Sequence, residues 1–88
     1  MEKETKILKA LAHPIRLKIV EKLSKEELCV CKLNEDVEFT QSNLSQHLKI
    51  LKEANILDSR KVGMWMYYSI KNEEVLKILE LTKVIANR

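Results

Sequence analysis

The apolar residues of this chain change their spacing twice, and that change restricts the fold more than any single motif does. From Ile7 to Leu51 they recur three or four positions apart, which places them on one face of a helix. Ile7, Leu8 and Leu11 start a first helix that Pro14, directly after His13, interrupts; proline has no backbone donor but suits the first turn of a new helix. A second helix is expected over residues 14–23, with Ile15, Ile19 and Leu23 in one stripe and Leu17 and Val20 beside it. Residues 27–31 are short, apolar and tolerant of an extended conformation, and residues 32–37 suffice for two helical turns. Thr40 has the hydroxyl of an N-cap for a helix over residues 41–54, where Leu44, Leu48 and Leu51 lie opposite Ser42, Gln46, Lys49 and Glu53. Beyond Ile56 the period is two. Met64, Met66, Tyr68 and Ile70 share one face of a strand, Trp65, Tyr67 and Ser69 the other, and Val62-Gly63 turns the chain from a strand over about residues 56–61. Asn72 then caps a last helix to about residue 87, apolar over an arc wide enough to need both its own core and another chain. The expectation is a mainly helical chain with a small β-hairpin, in the order α-α-α-α-β-β-α.

At 88 residues this is a single domain over residues 1–88, of a size at which a partner subunit is often recruited. No apolar run approaches the length of a membrane span, and the N-terminus lacks the basic-then-apolar layout of a signal peptide. A cytoplasmic protein with no membrane partner is expected. Two cysteines cannot build a secreted disulfide scaffold; in a reducing compartment such a pair binds metal, carries redox chemistry or is buried. The net charge of +3 is concentrated. Residues 1–39 and 72–88 are each balanced, so the whole excess falls in residues 40–71, on Lys49, Lys52, Arg60, Lys61 and Lys71 against Glu53 and Asp58. A basic segment in a neutral frame is what a phosphate-contacting surface needs; a merely solvated face has the same composition.

Two helices joined by a tight link, the second polar at its start and followed by a basic hairpin, is the layout of a winged helix-turn-helix. Gln41, Ser42, Asn43, Ser45 and Gln46 carry amides and hydroxyls that reach base edges or phosphates from a helix start. Ser42, Ser45 and Gln46 are the groove candidates, Arg60 the wing contact, and Lys49 and Lys61 the phosphate contacts. His47 lies beside the leucine stripe and His13 at a helix entry, positions of structural histidines. An enzyme is not expected: neither histidine has a visible carboxylate orienter, and no glycine-rich loop cradles a phosphate.

"LKALAHPIRLKIVEKL" (residues 8–23), "ELCVCKL" (27–33), "FTQSNLSQHLKILKEANIL" (39–57) and "RKVGMWMYYSI" (60–70) together resemble the ArsR/SmtB family of metal-responsive winged-helix repressors, in order and over almost the whole chain. The resemblance implies a homodimer held by the first and last helices, a recognition helix from Gln41 and a wing around Gly63. It further implies repression at operator DNA with an inverted repeat, needing no cofactor for DNA binding and relieved when metal binds. Two departures stand out: Asn55 where the family often has glycine, and Met64 where the wing tip is frequently basic.

Cys29 and Cys31, if extended, have α-carbons about 6.6–7.2 Å apart, a spacing that suits a bridging ion and lies at the edge of what a disulfide allows. In a regular helix the two would not face each other, so chelation needs a non-helical or helix-start backbone. "ELCVC" resembles the thiolate box of the family's arsenic, cadmium and lead sensors, which implies Cys29 and Cys31 as metal ligands and arsenite or another thiophilic metal as inducer. Where the arsenic form often has a third cysteine this chain has Asn34, and no N-terminal cysteine or last-helix histidine supplies another ligand. Two thiolates leave arsenite one sulfur short, whereas a monosubstituted arsenical needs only two. Lys32 beside the pair favours the thiolate, so a redox or persulfide switch is the alternative, and two buried, silent cysteines a further one.

Overall fold

The computed structural model describes residues 1–40 and 42–88. Helix α1 (Glu2–Leu11) leads into α2 (Pro14–Leu23), β1 (Leu28–Cys29), α3 (Val30–Glu35), a 3₁₀ turn at Val37–Phe39, α4 (Leu44–Glu53), β2 (Leu57–Val62), β3 (Trp65–Ile70) and α5 (Glu74–Ala86). The expected order is present, with one addition. Two residues of the β-tolerant segment form β1 and pair antiparallel with β3, giving a three-stranded sheet in the order β1-β3-β2.

The bend between α1 and α2 follows from Pro14. Without an N–H, Pro14 cannot bond the carbonyl of Ala10 four residues back; the Arg16 Nε–H donates to that oxygen instead, at 2.7 Å. His13 is the N-cap of α2, its Nδ1 accepting the Ile15 N–H. Ile19, Val20 and Leu23 of α2, Leu33 of α3, Phe39, Leu44, Leu48 and Leu51 of α4, and Ile56 and Leu57 form the buried centre with Val75 and Leu79 of α5. The stripe seen in α4 is therefore the face that holds it against the rest of the domain.

Helix α3 starts at Val30 and ends at Glu35 rather than covering residues 32–37, and three other boundaries differ from expectation. Thr40 does not cap α4: its hydroxyl donates back to Val37 O, the Ser42 N–H bonds Phe39 O, and α4 begins at Leu44 with Asn43 ahead of it. Asn72 does not cap α5 through its side chain, which donates to Asn55 O at 2.7 Å; Glu73 precedes the helix. The hairpin turn falls at Gly63-Met64 rather than Val62-Gly63, since Val62 still pairs with Trp65. Gly63 has φ 62°, and Asn55, after α4, also has φ 62°, the left-handed conformation that asparagine tolerates.

Candidate nucleic-acid interface and thiol pair

The buried stripe of α4 leaves its other side outward, and Asn43, Ser45, Gln46 and Lys49 are all exposed there. Ser45 Oγ and Asn43 Oδ1 lie 3.4 Å apart. Ser42 differs from its expected role. It is half-buried and its hydroxyl donates to Phe39 O at 2.8 Å, so it fastens the turn ahead of α4. Gln41 lies outside the described residues. At the other end of α4 the Lys52 ammonium donates to Ser59 Oγ of β2, tying helix to hairpin.

On the hairpin, Lys61 is exposed and makes no ion pair among the described residues, while Met64 and Trp65 stand out at the tip, 89% and 54% exposed. Trp65 therefore does not cover the core. Arg60 is not free. Its Nε and Nη2 donate to the two carboxylate oxygens of Glu27 at 2.8 and 2.6 Å, the two-pronged geometry in which guanidinium and carboxylate match best. This contact holds the Glu27 carboxyl below its usual range and raises Arg60 further.

Behind α4, two histidines far apart in sequence meet. The His13 and His47 ring centroids are 4.6 Å apart, and Arg16 Nη1 lies 3.3 Å from His47 Nδ1. Burial, then His13 and the Arg16 charge, lower the His47 pKa below that of a free imidazole. Both histidines are engaged in contacts within the domain, His13 with the Ile15 N–H and His47 with Arg16. Their meeting, and the role of Arg16, could not be read from spacing, because the residues are far apart in the chain, 31 positions for Arg16 and His47.

Cys29 is the N-cap of α3, its sulfur accepting the Cys31 N–H at 3.1 Å. The segment is thus extended only up to Cys29 and helical from Val30, which shortens the α-carbon separation to 5.1 Å. That corrects the extended spacing and falls inside the range a disulfide accepts; the two sulfurs are joined. The helix-start backbone meets the requirement for both side chains to converge. Cys29 is 4% exposed and Cys31 half-buried. Among the described residues no group of three or more His, Cys, Asp and Glu side chains is placed to hold a metal ion. Across the sheet, Cys29 pairs with Tyr67 of β3, and Tyr67 pairs with Arg60 of β2. Cys29 and Arg60 therefore flank Tyr67 on one cross-strand row.

Comparison with known proteins agrees with this architecture. The family model "Bacterial regulatory protein, arsR family" matches residues 13–59. The arsenical resistance operon repressor of Bacillus subtilis is 47% identical over 72 residues, covering 81% of this chain and 69% of that protein. The crystal structure of NolR from Sinorhizobium fredii superposes with a TM-score of 0.84 at 39% identity, over 96% of this chain and 84% of that one. The solution structure of the homodimeric winged helix-turn-helix domain Mb0332 from Mycobacterium bovis gives 0.84 at 28% identity, over 98% and 80%. The fold is thus held in common with transcriptional regulators, and the chain belongs to the arsR family of winged helix-turn-helix regulators.

Proposed function

We propose that this chain is a homodimeric repressor that holds operator DNA with α4 and the hairpin and lets go when a thiophilic species bridges Cys29 and Cys31. One observation carries the reading: two cysteines converge at the start of α3, the first of them ending β1, which pairs with β3 of the hairpin. Asn43, Ser45, Gln46 and Lys49 are read as groove and phosphate contacts, with Arg60 and Lys61 on the wing; Ser42 contributes through the turn it fastens. Dimerisation through α1 and α5 is supported by Leu8, Leu81, Val84 and Ile85, which are 57, 62, 46 and 70% exposed, an apolar set that water disfavours. The homodimeric Mycobacterium bovis domain supports it too. A twofold dimer reads an inverted repeat, with half-sites about one DNA turn apart.

The inducer best matched to two sulfurs is a trivalent arsenical with one organic substituent; arsenite, cadmium or lead would need a further ligand such as a small thiol or hydroxide. The Bacillus subtilis relative, an arsenical resistance operon repressor, supports the arsenical class. Linkage then requires that the ligand bind the DNA-free form more tightly, by a coupling of about 1–3 kcal/mol. The joined sulfurs favour one second reading, release by oxidation of the pair. Anisotropy on the DNA upstream of the gene decides between them. Phenylarsine oxide should release DNA from the wild type and not from the Cys29→Ser/Cys31→Ser variant. Release by peroxide that dithiothreitol reverses, with no response to the arsenical, would instead establish the oxidative switch. An unaltered response in the double variant would refute both.

A further inference from the structure

The bidentate pair between Glu27 and Arg60 joins two regions with different tasks. Glu27 stands two residues before Cys29, at the entry to β1, and Arg60 is on β2; the strands they flank are separated by β3. Arg60 is 66% exposed at its side chain and Glu27 30%, so the cation faces outward with the carboxylate tucked behind it. An arginine already neutralised by a carboxylate releases fewer counterions on meeting a phosphate, and the carboxylate itself repels the incoming anion.

We propose that Glu27 is an internal competitor of operator phosphate for Arg60, and that the state of the cysteine pair, through the short strand it shares with Glu27, sets how firmly the wing cation is withheld from DNA. This rests on the reading of Arg60 as a wing contact and deepens it by naming a positioning residue that touches no DNA. Geometry supports the transmission. β1 is two residues long and ends in Cys29, which is both the strand's last residue and the N-cap of α3. A change at the sulfurs therefore moves the backbone that sets the reach of Glu27. The row Cys29, Tyr67, Arg60 keeps the distance to be bridged to two strand spacings.

The test uses the full chain in reduced form on its upstream DNA, with Glu27→Gln, Arg60→Gln and the double variant, each titrated against salt. Glu27→Gln keeps the shape and removes the charge. It should tighten binding by about two- to five-fold, the range expected for an exposed ion pair, and steepen the salt dependence by about 0.9 per Arg60 freed. Arg60→Gln should weaken binding, and adding Glu27→Gln to it should bring no gain. Phenylarsine oxide should then release DNA by a smaller fold-change from Glu27→Gln than from the wild type. Arg60→Gln without effect on DNA affinity would overturn the wing contact and the competition with it. Weakening by Arg60→Gln with an unchanged affinity and salt slope in Glu27→Gln would overturn the competition alone. Equal fold-release by phenylarsine oxide from wild type and Glu27→Gln would overturn the transmission, and this outcome is separate from a wild type that does not respond to the arsenical at all.

Discussion

Replacing Arg16 with methionine keeps an unbranched stem and removes the guanidinium that replaces the hydrogen bond Pro14 cannot make. In the native chain that group donates to Ala10 O at 2.7 Å, approaches Lys9 O at 3.4 Å and lies 3.3 Å from His47 Nδ1. Lys9 O retains the Ala12 N–H at 3.2 Å, so its loss is minor. Ala10 is 2% exposed, and its carbonyl would lose a charge-assisted donor, a loss of about 1.5–3 kcal/mol. For a domain of this size each kcal/mol moves Tm by about 4–8 °C, so thermal unfolding followed by circular dichroism, at fixed protein concentration, should drop by roughly 6–24 °C. Arg16→Lys should lie between, because one ammonium on a flexible stem cannot reproduce the planar fork. Since Arg16 also braces α4 through His47, the imidazole resonance of His47 should titrate at higher pH in Arg16→Met. A Tm within about 2 °C of wild type, with the His47 titration unmoved, would refute both the substitution of Arg16 for the missing proline donor and its contact with α4.

Stability itself should depend on pH through His47. Its pKa is lowered in the folded state, so the unfolded chain takes up the proton first as pH falls; the stability present above the ordinary imidazole range, near 6.5, is lost progressively as pH falls through and below it, and denaturant midpoints across that range will show the slope unless His47 is replaced. Leu51, fully buried in α4, should cost about 2–5 kcal/mol on truncation to alanine, measured by urea unfolding. Gly63→Ala should destabilise by about 1–2 kcal/mol through backbone strain alone, since no atom lies within 4 Å of the added Cβ. Cys29→Ser keeps an acceptor at the α3 N-cap and should leave the unfolding midpoint nearly unchanged while abolishing arsenical adducts that bridge both sulfurs, as read by intact-mass spectrometry. Alanine at Lys49 or Lys61 should each weaken DNA binding for all sequences alike and reduce the salt slope by about 1.

Periodicity carried most of the fold. The leucine stripe of residues 44–51, the proline break at Pro14 and the two-residue alternation after Ile56 each reflect a local rule, the pitch of a helix or the pleat of a strand, and each places its element correctly. Where side chains had a choice of partner, local rules failed. Thr40 and Asn72 are good caps in isolation, yet Thr40 satisfies Val37 O and Asn72 satisfies Asn55 O, because nearby carbonyls in the assembled chain compete for the same donors. The exposed polar face of α4 was legible in the same pattern; the occupation of Ser42 by Phe39 O was not.

Sequence by itself thus determined the helices, the hairpin and the presence of paired thiols just ahead of a polar helix, since these depend on residues within a few positions of one another. Only the tertiary structure decided that Cys29 and Cys31 converge at a helix start, that His13 meets His47, and that Arg60 is already held by Glu27. The last two contacts join residues brought close by packing and by strand register, and nothing in the spacing of a linear chain encodes which distant charge a given arginine will find.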